Sequence, residues 1–244
     1  MKGWQIFEHS VRMVLRNLPQ ALQIGLVPSV IMAVIATVIF GSGAMVAESS
    51  TGELPTVTLG LSTIVAAIIW LVITMWIYVS WHRYILLEEY PTGWIPPFRM
   101  DRISSYFFKG FGIFLVMLAC ILVLGLSAAV LGPVSAVVVI PGTLAVAIAA
   151  YRWFPVLPAA AVGKPLSMTE AWEATRGSTG AIIVMVLLLA VMQLLLSLIV
   201  GIIVAIIPVV GIAVQTIFTL VLALINVSIM TTMYGHYIEG RPIG

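Results

Sequence analysis

Charge is scarce in this chain of 244 residues, because only 8% of its residues are Asp, Glu, Lys or Arg. Soluble globular proteins carry about 25% charged residues, so a soluble domain is excluded. The sequence is 62% hydrophobic and its mean hydropathy is +1.19, values typical of a polytopic membrane protein. Its one cysteine, Cys120, excludes an internal disulfide and a thiolate metal cluster.

Motifs for known membrane chemistry are also missing from the sequence. No G-x-x-x-x-G-K-[ST] loop is present, which excludes an ATP-driven pump built from this chain alone. The single aspartate, Asp101, and the lack of an H-E-x-x-H motif argue against an intramembrane protease. We therefore predict a protein that is not an enzyme and has no catalytic residues, cofactor or metal site. The net charge of +2 does not indicate a nucleic-acid partner, because the basic residues follow a topology pattern.

The gaps between charged residues predict the membrane crossings, because a charge is costly at the bilayer centre. Four uncharged stretches lie between Arg16 and Glu48, Glu53 and Arg83, Lys109 and Arg152, and Arg176 and Glu239. A crossing needs about 20 residues, so the first two stretches fit one helix each and the longer two fit a hairpin each. Gly132-Pro133 and Pro208 to Gly211 mark the turns. The predicted spans are residues 21–40, 58–81, 107–131, 134–152, 181–207 and 212–234.

The fourth span has an alternative position. Pro141-Gly142 offers a second turn, which would move the span to residues 143–162 and place Arg152 near the middle of the membrane. An arginine at that depth is usually paired or binds an anion, whereas an arginine at the end of a span extends to the interface. Both placements of Arg152 are open at this point.

The basic residues predict the orientation. With six spans, all 11 Lys and Arg residues fall on the side of the two termini, and the opposite turns carry only Glu48 and Glu53. The positive-inside rule then predicts cytoplasmic termini in a bacterial inner membrane. No cleavable signal peptide is expected, because the first apolar stretch is longer than a signal core.

Short amphipathic segments precede the hairpins. Residues 3–17 place apolar side chains on one face of a helix and polar side chains on the other. Residues 168–176 begin with the capping-box pattern Ser167-x-x-Glu170. A third segment over residues 101–106 is predicted from Asp101 as its cap. The fold class is thus an all-α polytopic membrane protein with three transmembrane hairpins, each preceded by a short cytoplasmic interfacial helix. The exits of the second, fourth and sixth spans also look alike, with an aromatic residue beside a basic residue or a histidine at Trp81 to Arg83, Tyr151 to Trp153 and Tyr234 to Tyr237. We interpret the three units of interfacial helix plus hairpin as a three-fold repeat; the alternative is that aromatic and basic residues gather at any membrane interface.

One segment carries a resemblance to known proteins. The run Arg152-Trp-Phe-Pro-Val-Leu-Pro158-Ala-Ala, followed by Ala171-x-x-x-Thr175-x-Gly177, resembles a signature of bacterial YciC-like membrane proteins. It is similar to the membrane domain fused to some glycerophosphodiester phosphodiesterases as well. The resemblance covers about residues 145–180 and implies a bacterial six-helix inner-membrane protein. The catalytic domain of the phosphodiesterases is absent from this sequence, so the resemblance implies no active site.

Two groups of polar residues are candidate sites. A groove lined by Arg152, Gln193, Gln215 and Asn226 would suit a passive or lipid-type transporter, although side-chain amides also join helices in membranes. His82 and His236 lie with His9 on the predicted cytoplasmic side, near Glu8, Glu88, Glu89 and Glu239. A His/Glu cluster built from them would bind a divalent metal or a phosphate-bearing headgroup; the alternative is that they are ordinary interfacial histidines. Arg83 and the residues Trp94, Arg99 and Arg102 would meet anionic headgroups or a docked protein.

These patterns favour a non-enzymatic accessory, assembly or lipid-organising subunit. Its expected partners are membrane phospholipids and a larger membrane protein complex. The passive or lipid-type transporter is the alternative, and it depends on the polar groove.

Overall fold

The computed structural model describes residues 2–48 and 61–243, which form nine α-helices and one 3₁₀ helix. The described residues contain no β-strand. The helices are α1 Lys2–Arg16, α2 Leu18–Glu48, α3 Leu61–Leu87, α4 Met100–Leu131, α5 Ala136–Trp153, α6 Val156–Val162, α7 Met168–Ala174, α8 Thr179–Ile206 and α9 Pro208–Tyr237.

Six helical segments are long and apolar enough to cross a membrane, which confirms the all-α polytopic fold. They are Leu18–Ile35, Thr63–Leu87, Met100–Leu131, Ala136–Val162, Thr179–Ile206 and Val214–Tyr237. Each overlaps one predicted span, and residues 58–60 of the second predicted span lie outside the described residues. The three antiparallel pairs α2–α3, α4–α5 and α8–α9 pack as hairpins.

Both predicted fold-back points are confirmed in the structure. Gly132 adopts φ 57°, a left-handed conformation that favours glycine, and opens the 3₁₀ turn Gly132–Ser135. The chain reverses again at Ile207, and α9 begins at Pro208, where a missing backbone N–H costs no helical hydrogen bond. The alternative turn at Pro141 is wrong, because Pro141 lies inside α5. Membrane helices tolerate such a proline when neighbouring groups compensate for the lost hydrogen bond.

The short segments before the hairpins are only partly as predicted. α1 and α7 are separate helices, and Ser167 and Glu170 form the predicted capping box. The predicted interfacial helix over residues 101–106 is wrong as a separate element, because α4 runs unbroken from Met100 to Leu131. Its buried positions Ile103, Tyr106 and Ile113 keep helical spacing through that region, so one face packs continuously and nothing ends the helix. The three-fold repeat is therefore incomplete.

An additional helix, α6, has no counterpart among the predicted elements. It follows the turn at Phe154-Pro155 and ends at Gly163, whose φ of 79° is left-handed. Residues 156–161 are all buried, and α6 packs against α3, α4 and α9. Its small side chains, such as the fully buried Ala161, allow this close approach.

The α4–α5 hairpin contributes least to the core. No residue of α5 is buried, and the buried residues of α4 end at Ile113. The apolar side chains further along the hairpin are exposed, for example Val130 at 74% and Val137 at 75%. In a membrane such a surface faces lipid or another helix, since lipid tails are as apolar as the side chains.

Candidate functional site

One end of the helix bundle gathers the termini and two inter-hairpin connections. We call it the basic rim and define it as α1 together with residues 82–109, 152–178 and 234–243. Long-range contacts tie its parts together: the Tyr84 hydroxyl donates to Asn17 Oδ1 at 2.7 Å, and Lys164 Nζ lies 2.7 Å from Glu239 Oε1. The rim contains all 11 Lys and Arg residues. As predicted, the described turns at the opposite end of the bundle carry no basic residue. Glu53 lies outside the described residues.

The predicted site residue His82 lies in a buried polar network instead of at the surface. Its side chain is fully buried, with Nδ1 at 2.8 Å from Thr231 Oγ1 on α9 and Nε2 at 3.5 Å from the Tyr106 hydroxyl on α4. Next to it, Trp81 Nε1 donates to Ser228 Oγ at 2.8 Å. Both ring nitrogens of His82 face protein groups, so the network joins α3, α4 and α9.

The other histidines do not join His82. His236 Nδ1 lies 3.1 Å from the Arg241 carbonyl oxygen, at the end of α9, and His9 lies on α1. Within residues 2–48 and 61–243, no three His, Cys, Asp or Glu side chains are placed to hold a metal ion. The structure therefore brings together no His/Glu cluster from His9, His82 and His236.

Arg83, Glu89 and Arg99 form an ion-pair cluster at the exit of α3. The Glu89 carboxylate accepts from Arg83 Nε at 2.7 Å and from Arg99 Nη2 at 2.5 Å. Arg83 also donates to the Ala161 carbonyl oxygen of α6 at 3.1 Å. Glu88, at φ 54°, reverses the chain so that Glu89 returns to Arg83. Arg83 and Arg99 thus share one carboxylate and fix the connection between α3 and α4.

Two carboxylates of this rim, those of Glu89 and Glu239, have a lowered pKa, which favours their charged form. Burial of Glu89 disfavours its charged form, but hydrogen bonds from Arg99 and Arg83 and their positive charges lower its pKa below the ordinary value. Burial likewise opposes the charge of Glu239, and Lys164 and Arg241 outweigh it, so the pKa of Glu239 is also lowered. Both side chains are about three-quarters or more buried, at 26% and 13% exposure.

We expect acid to destabilise the rim through these two carboxylates. Their pKa values are lower in the folded chain than in the unfolded chain, where Glu titrates at about 4.3, so the unfolded chain binds protons first. The stabilisation is complete above about pH 5 and is lost as the pH falls through the folded pKa values. Thermal unfolding in detergent at pH 7 and pH 4 measures it. The double variant Glu89→Gln/Glu239→Gln should lose part of this pH dependence; an unchanged dependence would contradict the prediction.

Arg152 clamps α7 to the end of α5. It lies in the last turn of α5, donates from Nη2 to the Trp172 carbonyl oxygen at 2.6 Å and from Nε to Thr175 Oγ1 at 3.3 Å. Its guanidinium carbon stacks 3.5 Å above the Trp172 ring. Gly177, at φ 82°, then turns the chain toward α8. Arg152, Thr175 and Gly177 all belong to the segment that resembles YciC-like proteins. In the structure, Arg152 and Thr175 contact each other and Gly177 forms the turn that follows.

We expect Arg152→Lys to loosen this contact although it keeps the charge. Lysine cannot stack as a planar group or donate two hydrogen bonds in a fixed fork, so the variant should lose about 1–2 kcal/mol of stability. Limited proteolysis at residues 163–178 measures the change, and cleavage should be faster than in the wild type. The matched control is Arg176→Lys, because Arg176 is exposed on the same segment. Equal cleavage of both variants would argue against the clamp.

The residues of the predicted polar groove do not converge. Gln193 on α8 and Gln215 on α9 lie on exposed faces of the bundle. Asn226 is half-buried and donates its amide to the Leu222 carbonyl oxygen of its own helix at 2.9 Å. Arg152 makes its contacts with α7 at the rim. These contacts do not build a shared groove across the bundle.

The remaining predicted residues lie on the surface of the rim. Trp94 is 54% exposed in the connection between α3 and α4. Arg102 lies in the first turn of α4, with its Nε 2.9 Å from Asp101 Oδ2. Their predicted contacts with lipid headgroups or a docked protein stay a prediction.

Sequence reasoning missed three hydroxyl groups that join helices, those of Ser10, Thr231 and Thr232. Ser228, Thr231 and Thr232 lie at helical spacing on the end of α9, and Thr232 Oγ1 is 2.9 Å from Ser10 Oγ of α1. Their clustering at positions 228–232 was a visible signal, but the sequence does not indicate which helices they join.

No family model, curated protein or solved structure matches this chain. The resemblance to YciC-like proteins therefore stays a prediction.

Proposed function

We propose that this chain is a non-enzymatic protein of the bacterial inner membrane, with a cytoplasmic basic rim. Its role is that of an accessory, assembly or lipid-organising subunit that acts through surface contacts with phospholipids or a membrane protein partner. The placement of the basic residues on one side supports this orientation through the positive-inside rule.

The observation that carries the proposal is the exposure of the α4–α5 hairpin. No residue of α5 is buried, and no residue of α4 after Ile113 is buried. Two long apolar helices are thus held to the bundle mainly through the rim, with their faces open to lipid or to partner helices. Within a bilayer such apolar faces contact either lipid tails or the helices of another membrane protein, so this hairpin offers surface for both kinds of contact.

The use of the polar side chains supports a surface role over a transport pathway. The polar contacts of His82, Trp81 and Arg152 go to neighbouring helices of the same chain. Gln193 and Gln215 face outward. Among the residues that the structure describes, these positions outline no pathway for a solute, so the transporter alternative has no specific support.

The test is purification in a mild detergent, followed by native mass spectrometry, together with reconstitution into liposomes. We expect phospholipid or a stoichiometric membrane protein to stay bound to the wild-type chain, and liposomes with the chain to conduct solutes no faster than empty ones. Solute flux that depends on the protein and is abolished by Gln193→Ala or Asn226→Ala would contradict the proposal.

A further inference from the structure

A cavity with a basic lining opens on the rim between the start of α4 and the segment that joins α6 to α7. Its volume is about 330 Å³. Three basic side chains, Arg102, Lys109 and Lys164, line it together with the Ser105 hydroxyl. The described residues that form its walls include no carboxylate, and α6 supplies an apolar floor through Val156 and Ala160.

The local fold places these groups around one space. Arg102, Ser105 and Lys109 are three and four residues apart in sequence, so they lie on one face of α4. On the other side, α6 ends at Gly163 in a left-handed conformation with φ 79°. A Cβ atom at Gly163 would overlap the Arg102 guanidinium. The glycine therefore makes room for Arg102 over the end of α6, and Lys164 follows directly.

The basic groups keep donors for a ligand. Lys109 Nζ donates to the Leu166 carbonyl oxygen at the long distance of 3.4 Å. Lys164 forms an ion pair with the Glu239 carboxylate, which also pairs with Arg241 at 2.7 Å. Arg102 pairs through Nε with Asp101, whose side chain is 68% exposed, and an exposed pair of this kind is weak. A lysine has three N–H donors and an arginine five, so each side chain has donors beyond these contacts.

The position of the cavity places its ligand at the membrane surface. Phe108 precedes Lys109 in the first turns of this membrane-spanning helix and is 69% exposed, so apolar surface lies beside the basic side chains. The first turns of a membrane-spanning helix thus bring basic donors and apolar surface to the same place. A ligand that uses both features would place an anionic group against the basic side chains and its apolar part toward the membrane.

We propose that this cavity binds a phosphate group at the membrane surface, carried by an anionic phospholipid or by a soluble phosphate ester. Phosphate oxygens accept hydrogen bonds from arginine and lysine, and several converging donors give such binding its strength. The proposal rests on the lipid-contact function proposed above and names its ligand chemistry and site.

The test uses the full chain in detergent, with phosphatidylglycerol and phosphatidylcholine as probes and native mass spectrometry as the readout. The wild type should retain phosphatidylglycerol in preference. The double variant Arg102→Gln/Lys109→Gln should bind it about tenfold more weakly, since two basic contacts are lost. The matched control, Arg12→Gln/Arg16→Gln, removes two charges of α1 at the same rim and should change binding by about twofold or less. Lys109→Gln alone tests the site should the double variant unfold.

Competition separates the two sources of phosphate. If millimolar glycerol 3-phosphate or inorganic phosphate displaces the bound lipid from the wild type, the cavity takes the soluble ester; if it does not, the cavity takes the lipid headgroup. Equal loss of binding in the cavity variants and in the α1 control would overturn the proposal, because general attraction to the rim would explain it. That result would leave the proposed function standing, whereas a solute flux sensitive to Gln193 or Asn226 would overturn the function itself.

Discussion

Trp81→Ala should destabilise the folded bundle by about 3–5 kcal/mol, the range seen when a buried aromatic side chain is removed from a core. Trp81 is fully buried and its indole donates to Ser228 on α9 at 2.8 Å. The variant leaves both a cavity and an unpaired hydroxyl between α3 and α9. The midpoint of thermal unfolding in detergent measures the loss.

The control for Trp81→Ala lies on the same helix. Trp70 of α3 is 55% exposed, so Trp70→Ala removes an identical side chain from the surface and should change stability far less. Trp81→Phe separates the two parts of the effect, because it keeps most of the packing and loses the hydrogen bond, at a cost of about 1 kcal/mol. Similar midpoints for Trp81→Ala and Trp70→Ala would contradict the role given to the network.

Glu89→Gln should cost about 2–3 kcal/mol and release the connection between α3 and α4. The Glu89 carboxylate binds both Arg83 and Arg99, and the Arg83 side chain is only 14% exposed. A neutral amide leaves the Arg83 charge largely buried without a counter-ion, which is a strongly unfavourable arrangement. Hydrogen exchange of the backbone at residues 88–99, together with the thermal midpoint, measures both consequences.

The adjacent glutamate provides the matched control. Glu88 is exposed, so Glu88→Gln removes the same charge one residue away and should leave the midpoint and the exchange of residues 88–99 close to wild type. Glu and Gln are both unbranched at Cβ, so the substitution does not change the cost of the positive φ of 54° at this position. A larger loss for Glu88→Gln than for Glu89→Gln would contradict the ion-pair assignment.

The membrane crossings were predictable because their signals are local. The cost of charge within the bilayer locates the spans, and Gly132 and Pro208 end helices through their own backbone preferences. The capping box of Ser167 and Glu170 is equally local, since the two residues are three apart and satisfy each other's backbone N–H groups.

The contacts that build the rim were not predictable, because they join residues far apart in sequence. His82 meets Thr231 on another hairpin, and Arg83 meets both Glu89 and the backbone of Ala161. α6 was missed because its helix is short, contains Pro158 and is stabilised by burial between other helices. The separate helix predicted over residues 101–106 failed for the same reason, since packing of Ile103 and Tyr106 continues into α4.

The lipid-contact function and the phosphate cavity both depend on a basic rim that lies at the cytoplasmic face. Single-cysteine labelling with a membrane-impermeant maleimide tests this placement most directly, in a Cys120→Ser background that removes the only native thiol. Glu173→Cys reports the rim from the exposed face of α7, and Val134→Cys reports the opposite end from the turn between α4 and α5, where Val134 is 70% exposed. We predict labelling of Glu173→Cys in inverted vesicles alone and of Val134→Cys in right-side-out vesicles alone. The reverse pattern, or labelling of both from the same side, would contradict the topology and the functions built on it.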